Sequence, residues 1–326
     1  MRTSILAAGV ACFAVSAAAE TPVLTVLTYD SFVSDWGPGP MVEKAFEAEC
    51  GCDLRFVGAG DGAALLARVQ LEGASSAADI VLGLDTNLTA QAAATGLFAP
   101  HGLEAPVLPV AFDDPLFLPF DWGWFAFVHD KTKLPVPPTS FEALAASDVR
   151  IVIQDPRSST PGLGLLMWVK AAYGDRAADV WAGLADNIVT VTPGWSEAYG
   201  LFLEGEADMV LSYTTSPAYH LIAEQDESKA AAPFAEGHYM QVEVAGKLAG
   251  SPQPELADKF LAFMLSEGFQ SVIPTTNWMY PAVTPAGGLP EGFESMRPET
   301  SLLLSSEAAM AARAGALAEW QAALAR

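Results

Sequence analysis

Short apolar runs alternate with amphipathic stretches along most of this chain. Residues 23–28 (VLTVLT) form a β-rich run, and Gly39-Pro40 opens a stretch in which Met41, Val42, Ala45 and Phe46 recur at helical spacing. A strand over 53–57 follows, then a helix over 63–72 with Asp61 placed to cap it, then an apolar strand over 79–84. The order β-α-β-α-β predicts a parallel, doubly wound sheet. Ligands meet such sheets at the carboxyl ends of strands, where Tyr29-Asp30 and Gly60-Asp61 fall.

Residues 120–130 (FDWGWFAFVHD) read as a long aromatic strand closed by the proline-rich turn KTKLPVPPTS. This strand is the first expected crossing between two lobes, and 237–244 (GHYMQVEV) the second. Between them the pattern predicts strands over 149–154, 188–191 and 208–212, with helices starting at Pro161 and Trp195. Helices over 254–265 and 306–325 are expected to return to the first lobe. The division is thus 20–122 plus 240–326 for lobe one and 123–239 for lobe two.

Residues 1–19 carry the marks of an export signal. Arg2 gives a positive start, residues 5–18 an apolar stretch, and Ala17-Ala18-Ala19 a small-residue cleavage site before Glu20. Cleavage after Ala19 leaves 326 − 19 = 307 residues, enough for two lobes, and marks the protein as exported. The formal charge of −23 becomes −24 on loss of Arg2, since residues 1–19 contain no acid. So acidic a surface argues against nucleic-acid and anionic-membrane partners, although acidity alone does not identify a cationic ligand. Outside the signal the cysteines are Cys50 and Cys52, which could close a local disulfide in an oxidising compartment. No HExxH, GxSxG or GxxxxGK[ST] pattern occurs, so neither a resident metal nor nucleophilic or nucleotide chemistry is expected.

Six aromatics instead lie at segment ends, among glycines, prolines and hydroxyl residues: Tyr29, Trp36, Trp195, Tyr213, Tyr219 and Trp278. Aromatics in such loops face ligands more often than those inside apolar runs, such as Trp122, Trp124, Trp168, Trp181 and Trp320. Asp30, Asp35 and Glu197 accompany several of them. Flat rings beside carboxylates suit a flat cation held by stacking and cation–π attraction. The stretch 155–164 (DPRSSTPGLG) joins a strand to a helix; its hydroxyls either receive an anion or simply cap the helix.

The segments LTVLTYDSFVSDWGPGPMVEKAFEAEC, ADIVLGLD, QDPRSSTPGLGLL, VTVTPGWSEAYGLFL, MVLSYTTSPAYH, EGHYMQVEV and IPTTNWMYP, in this order, resemble the periplasmic thiamine-binding proteins of bacterial ABC importers. The likeness runs through nearly the whole exported chain and is weakest over 100–118 and after Pro281. It implies an α/β, two-lobed type II periplasmic binding protein fold with a two-strand hinge. It further implies a monomeric carrier without catalytic activity or cofactor, whose ligand is thiamine or its mono- or diphosphate. Its partners would be an inner-membrane permease and its ATPase. The resemblance places Tyr29, Trp36, Tyr219 and Trp278 around the ligand's rings. It puts Asp61 on the aminopyrimidine or the cation, and Ser159, Trp195 and Tyr213 at the hydroxyethyl or phosphate end. Related periplasmic proteins that bind polyamines or iron, and the enzyme thiaminase I, share this fold and stand as alternatives. An iron binder would need clustered tyrosines, and thiaminase I a cysteine in the cleft.

Overall fold

The computed structural model describes residues 21–325; the expected signal and its cleavage site lie outside them. The first half is built from β1 (Val23–Thr28), α1 (Gly39–Cys50), β2 (Asp53–Gly58), α2 (Gly62–Glu72), β3 (Ile80–Asp85), α3 (Thr89–Ala94) and the short β4 (Phe98–Ala99). β1 lies parallel to both β2 and β3, as the β-α-β-α-β pattern predicts. Then comes the fourteen-residue β5 (Phe117–Asp130). The second half contains α4 (Phe141–Ala145), β6 (Ile151–Gln154), α5 (Thr160–Tyr173), α6 (Ala177–Leu184), β7 (Ile188–Thr192), α7 (Trp195–Glu204), β8 (Met209–Tyr213), α8 (Ser216–Tyr219) and β9 (Lys229–Ala231). The chain returns through β10 (His238–Leu248), α9 (Pro254–Phe263), α10 (Glu267–Gln270), α11 (Ile273–Thr276), β11 (Tyr280–Pro281), β12 (Ser301–Leu302) and α12 (Ser306–Leu324).

The main strand order is β2-β1-β3-β10-β5-β8-β6-β7. Two long antiparallel strands therefore join an outer parallel group on each side. β5 pairs with β10 up to Trp124, and from Phe125 onward it pairs with β8. Its side chains are buried through His129, because it has neighbours on both edges and packing on both faces. Such a pair of strands, shared by two halves with otherwise separate sheets, is the expected two-strand hinge.

A phenylalanine cluster containing Phe32, Phe46, Phe120, Phe260, Phe263 and Phe269 closes the outer face of the first half. In the second half Phe127, Phe141, Trp168 and Phe234 pack ring against ring. The five tryptophans assigned to packing are all buried. Cys50 and Cys52 form a disulfide at the end of α1, where Gly51 takes a left-handed turn. α12 departs from expectation, since it lies against α5 and α6 of the second half and reaches the first half at α3. Its buried positions, Ala309, Ala316, Trp320 and Ala323, form a narrow stripe of mostly small residues. Lys170 reaches Glu319 at 2.9 Å, the Arg157 guanidinium sits 5.7 Å from the Trp320 ring centre, and Arg313 donates to Gln91 of α3. Alanines permit this close approach to two helices, and nothing in an alanine-rich sequence specifies which two.

Candidate functional site

A cavity of about 600 Å³ lies between the two halves, at the carboxyl ends of their parallel strands. Its walls include Tyr29, Trp36, Asp61, Trp195, Tyr213, Tyr219 and Trp278. The first half contributes Tyr29 at the end of β1, Trp36 from the turn before α1, and Asp61 at the start of α2. Trp278, after α11, joins the same side. Trp195 and Tyr219 come from the helices after β7 and β8, and Tyr213 from the end of β8.

Local backbone explains several of these placements. The turn carrying Trp36 doubles back so closely that a Cβ at Gly37 would sit 2.2 Å from the Ser31 carbonyl oxygen. The edge of the Tyr29 ring abuts Gly83, where a Cβ would come within 2.2 Å of a ring carbon and φ is +104°. Glycine is required there twice over, by space and by backbone. Trp278 itself has φ of +55°, a left-handed conformation that a non-glycine residue adopts only when its surroundings impose it. Its backbone N–H closes the end of α11 onto the Ile273 carbonyl.

The rings form two facing groups. Trp36 approaches Trp195 across the cleft with centroids 6.1 Å apart, and Tyr219 meets Trp278 edge-on at 5.5 Å. Trp195 stacks on Tyr199 at 5.0 Å and donates its indole N–H to Ser212. Trp36 is 54% exposed and stands at the lip, whereas Tyr29 is buried at the base.

Carboxylates lie at the base beside Tyr29. Glu243 of β10 faces Asp121 of β5 in direct register. The Tyr29 hydroxyl donates to Glu243 Oε2 at 3.1 Å; Asn277 Nδ2 donates to Asp121 Oδ2 at 2.6 Å and to the Tyr29 oxygen at 2.9 Å. Among the described residues no lysine or arginine reaches the pair. Burial, reinforced by the charge of Asp121, pushes the Glu243 carboxyl well above its ordinary value, and burial raises Asp121 to about 7. The Tyr29 hydroxyl is raised as well, by burial and by these two acids.

Asp61 is held differently. It accepts from the Gly62 N–H and Thr160 Oγ1 on one oxygen and from Ser159 Oγ on the other, at 2.8 to 2.9 Å. Burial raises its carboxyl, and these hydrogen bonds oppose the rise. Ser159 is wholly buried behind Asp61 and does not line the cavity, so seven of the eight expected residues meet there and the eighth supports one of them. Ser159 and Thr160 turn their hydroxyls to Asp61, Ser158 donates to the Pro193 carbonyl, and Arg157 is paired with Asp155, which leaves no open anion cradle in this arrangement.

Asp30, Asp35 and Glu197, read with the aromatics, face away from the cavity; the acids that line it are Asp61 and Glu243. Sequence reasoning missed Glu243 and Asn277 in the wall and Asp121 behind it. Gln241 and Glu243 are two buried polar side chains on alternate positions in the middle of a mainly apolar strand, a pattern that signals function. His220 bonds Tyr199 through Nε2 at 2.9 Å and Glu224 through Nδ1 at 2.6 Å. It thereby fixes a ring of the cavity wall from behind.

A chain of this architecture, with a walled cavity between two halves joined by paired strands, is built to enclose a small solute. Residues 39–271 match the family described as bacterial extracellular solute-binding protein, and the chain belongs to that family. Within it, the chain is 56% identical over 310 residues to the thiamine-binding periplasmic protein of Salmonella typhimurium, covering 94% of each. It is 51% identical to the protein of the same name from Brucella suis over 315 residues, 95% of this chain and 94% of that one. A solved structure of a periplasmic thiamin binding protein superposes with a TM-score of 0.91 at 55% identity, over 94% of this chain and 97% of the other.

Proposed function

We propose that this protein captures thiamine, or its mono- or diphosphate, in the periplasm and delivers it to the permease and ATPase of an inner-membrane ABC importer. The observation that carries the reading is the cavity itself: aromatic walls over a base of carboxylates that have no basic partner among the described residues. Buried acids in this state favour a positive guest, and the quaternary thiazolium supplies a fixed charge on a flat ring. Tyr29, Trp36, Tyr219 and Trp278 enclose the rings, Glu243 and Asp61 face the charge, and Trp195 and Tyr213 line the remaining end. Ser159 acts through Asp61. The names of the relatives support the same ligand and point to a carrier rather than an enzyme. A nucleophilic cysteine, which a thiaminase would require, has no candidate among the described residues, because Cys50 and Cys52 are joined at the far end of α1.

The carrier acts as a monomer beginning at Glu20, with lobes of 20–122 plus 240–305 and 123–239, and α12 packed on the second lobe and tied to the first at α3. Calorimetric titration with thiamine, each phosphate and spermidine tests the assignment. Thiamine or a phosphate ester is expected to bind at least tenfold tighter than spermidine, and the reverse order would replace this reading with a polyamine carrier.

A further inference from the structure

The Asp121–Glu243 pair raises a question of charge balance that cation binding alone does not answer. The two carboxyls stand opposite each other on the hinge strands, and both are almost completely buried. Tyr29 donates to one outer oxygen and Asn277 to the other, while Asp121 Oδ1 is buried with no donor in reach. The titratable groups around them are Tyr29 after β1, Asp61 at the start of α2, Tyr213 on β8, and Asp85, which pairs with Glu243 in register from β3. None is a base. Arg313 of α12 acts on Asp85, and among the described residues no cation acts on the pair. Two adjacent carboxylates with full charge and no counter-ion would repel at short range in a poorly hydrated site.

We propose that in the ligand-free protein the pair holds one proton between its carboxyl groups, and that a bound cation displaces it to solvent. This rests on the cationic-ligand reading above. The balance is simple: the singly protonated pair carries one negative charge, the cation replaces the proton, and one H⁺ leaves for each cation bound. The shared proton would occupy the otherwise orphaned Asp121 Oδ1. Burial raises both carboxyls, which moves the exchange upward from the ordinary carboxylate range. Capture is then coupled to pH, with binding tightening as the medium becomes less acidic.

The test is calorimetric titration of the wild-type protein with thiamine between pH 6 and 8, in phosphate and in Tris. Exchange predicts that Kd falls with rising pH by up to about tenfold per unit within the window of the shared proton. It also predicts that the observed heats differ between the two buffers by an amount corresponding to release of up to one proton. In Glu243→Gln the affinity should be lower at every pH, with the slope and the buffer dependence both lost. Asp121→Asn should behave alike and serves if the first variant does not fold. Trp36→Ala, by contrast, should lose affinity and keep the slope. Wild-type binding with a constant Kd and no released proton would overturn the exchange while leaving the ligand assignment intact. Persistence of the slope in both carboxyl variants would overturn it too. Absence of thiamine binding at any pH would remove the assignment and the exchange together.

Discussion

Trp278 shows how much a single residue of this site costs. Its left-handed backbone opposes folding by about 1–3 kcal/mol in a non-glycine residue, and the surrounding turn must offset that. Trp278→Gly should therefore leave the melting temperature level or higher while weakening thiamine binding about tenfold or more, through loss of the ring. Thermal denaturation and calorimetry on one preparation check both signs. Gly83→Ala is expected to fail in the opposite way, because the added Cβ drives Tyr29 off its seat and is strained at a positive φ. Stability and affinity should fall together there. Tyr29, Trp36 and Trp278 were legible in the sequence because large rings in glycine-rich loops have no packing role to explain them. Asp121 and Asn277 were not, since each occupies an ordinary position for its type until the fold brings them within hydrogen-bonding distance, and Glu243 showed only as a polar break in a mainly apolar strand.

At the scale of elements, the N-termini of α2 and α5 meet across the cleft. Thr160 donates to Asp61 and accepts from the Gly62 N–H, and the Ala64 N–H donates to the Ser158 carbonyl. These bonds run from one half to the other and hold the cavity shut. Thr160→Val keeps the shape and removes both side-chain bonds, at a cost of about 1–3 kcal/mol to the closed state. Ligand dissociation measured by stopped-flow fluorescence should accelerate at least several-fold, with the association rate little changed. Elements of regular period were readable: the strands and helices predicted between β1 and β8 fall within a few residues of where the apolar pattern puts them, while α3, β4 and α6 had no predicted counterpart. α12 was readable as a helix but not as to its partner, for a stripe of alanines fits many grooves. The clasp between α2 and α5 was hidden as well, because Ser159 and Thr160 look the same locally whether they cap their own helix or reach another.

The molecule as a whole carries a pH dependence that follows from its buried acids. Asp85 and Asp121 are raised to about 7, and Glu243 lies well above its ordinary value. Ordinary values near 4 apply once the chain unfolds, so between about pH 4 and 7 the folded state binds protons that the unfolded state does not. Stability contributed by these groups is full below that range and is lost as pH rises through it. The melting temperature of the ligand-free protein should accordingly fall from pH 5 to pH 8, and saturating thiamine should recover much of the loss at pH 8. A melting temperature that rises over this interval without ligand would contradict the burial of these acids. There is also a mechanical consequence in the placement of Asp121 and Glu243 on β5 and β10. Points on a pivot travel least when two bodies swing apart, whereas Trp36 and Trp195, far from it on opposite sides, travel most. A guest held at such a site would lose the rings at the mouth first and its grip on the pivot acids last. Unloading is thus ordered from the rim inward, so the solute is uncovered towards the open side before it comes free.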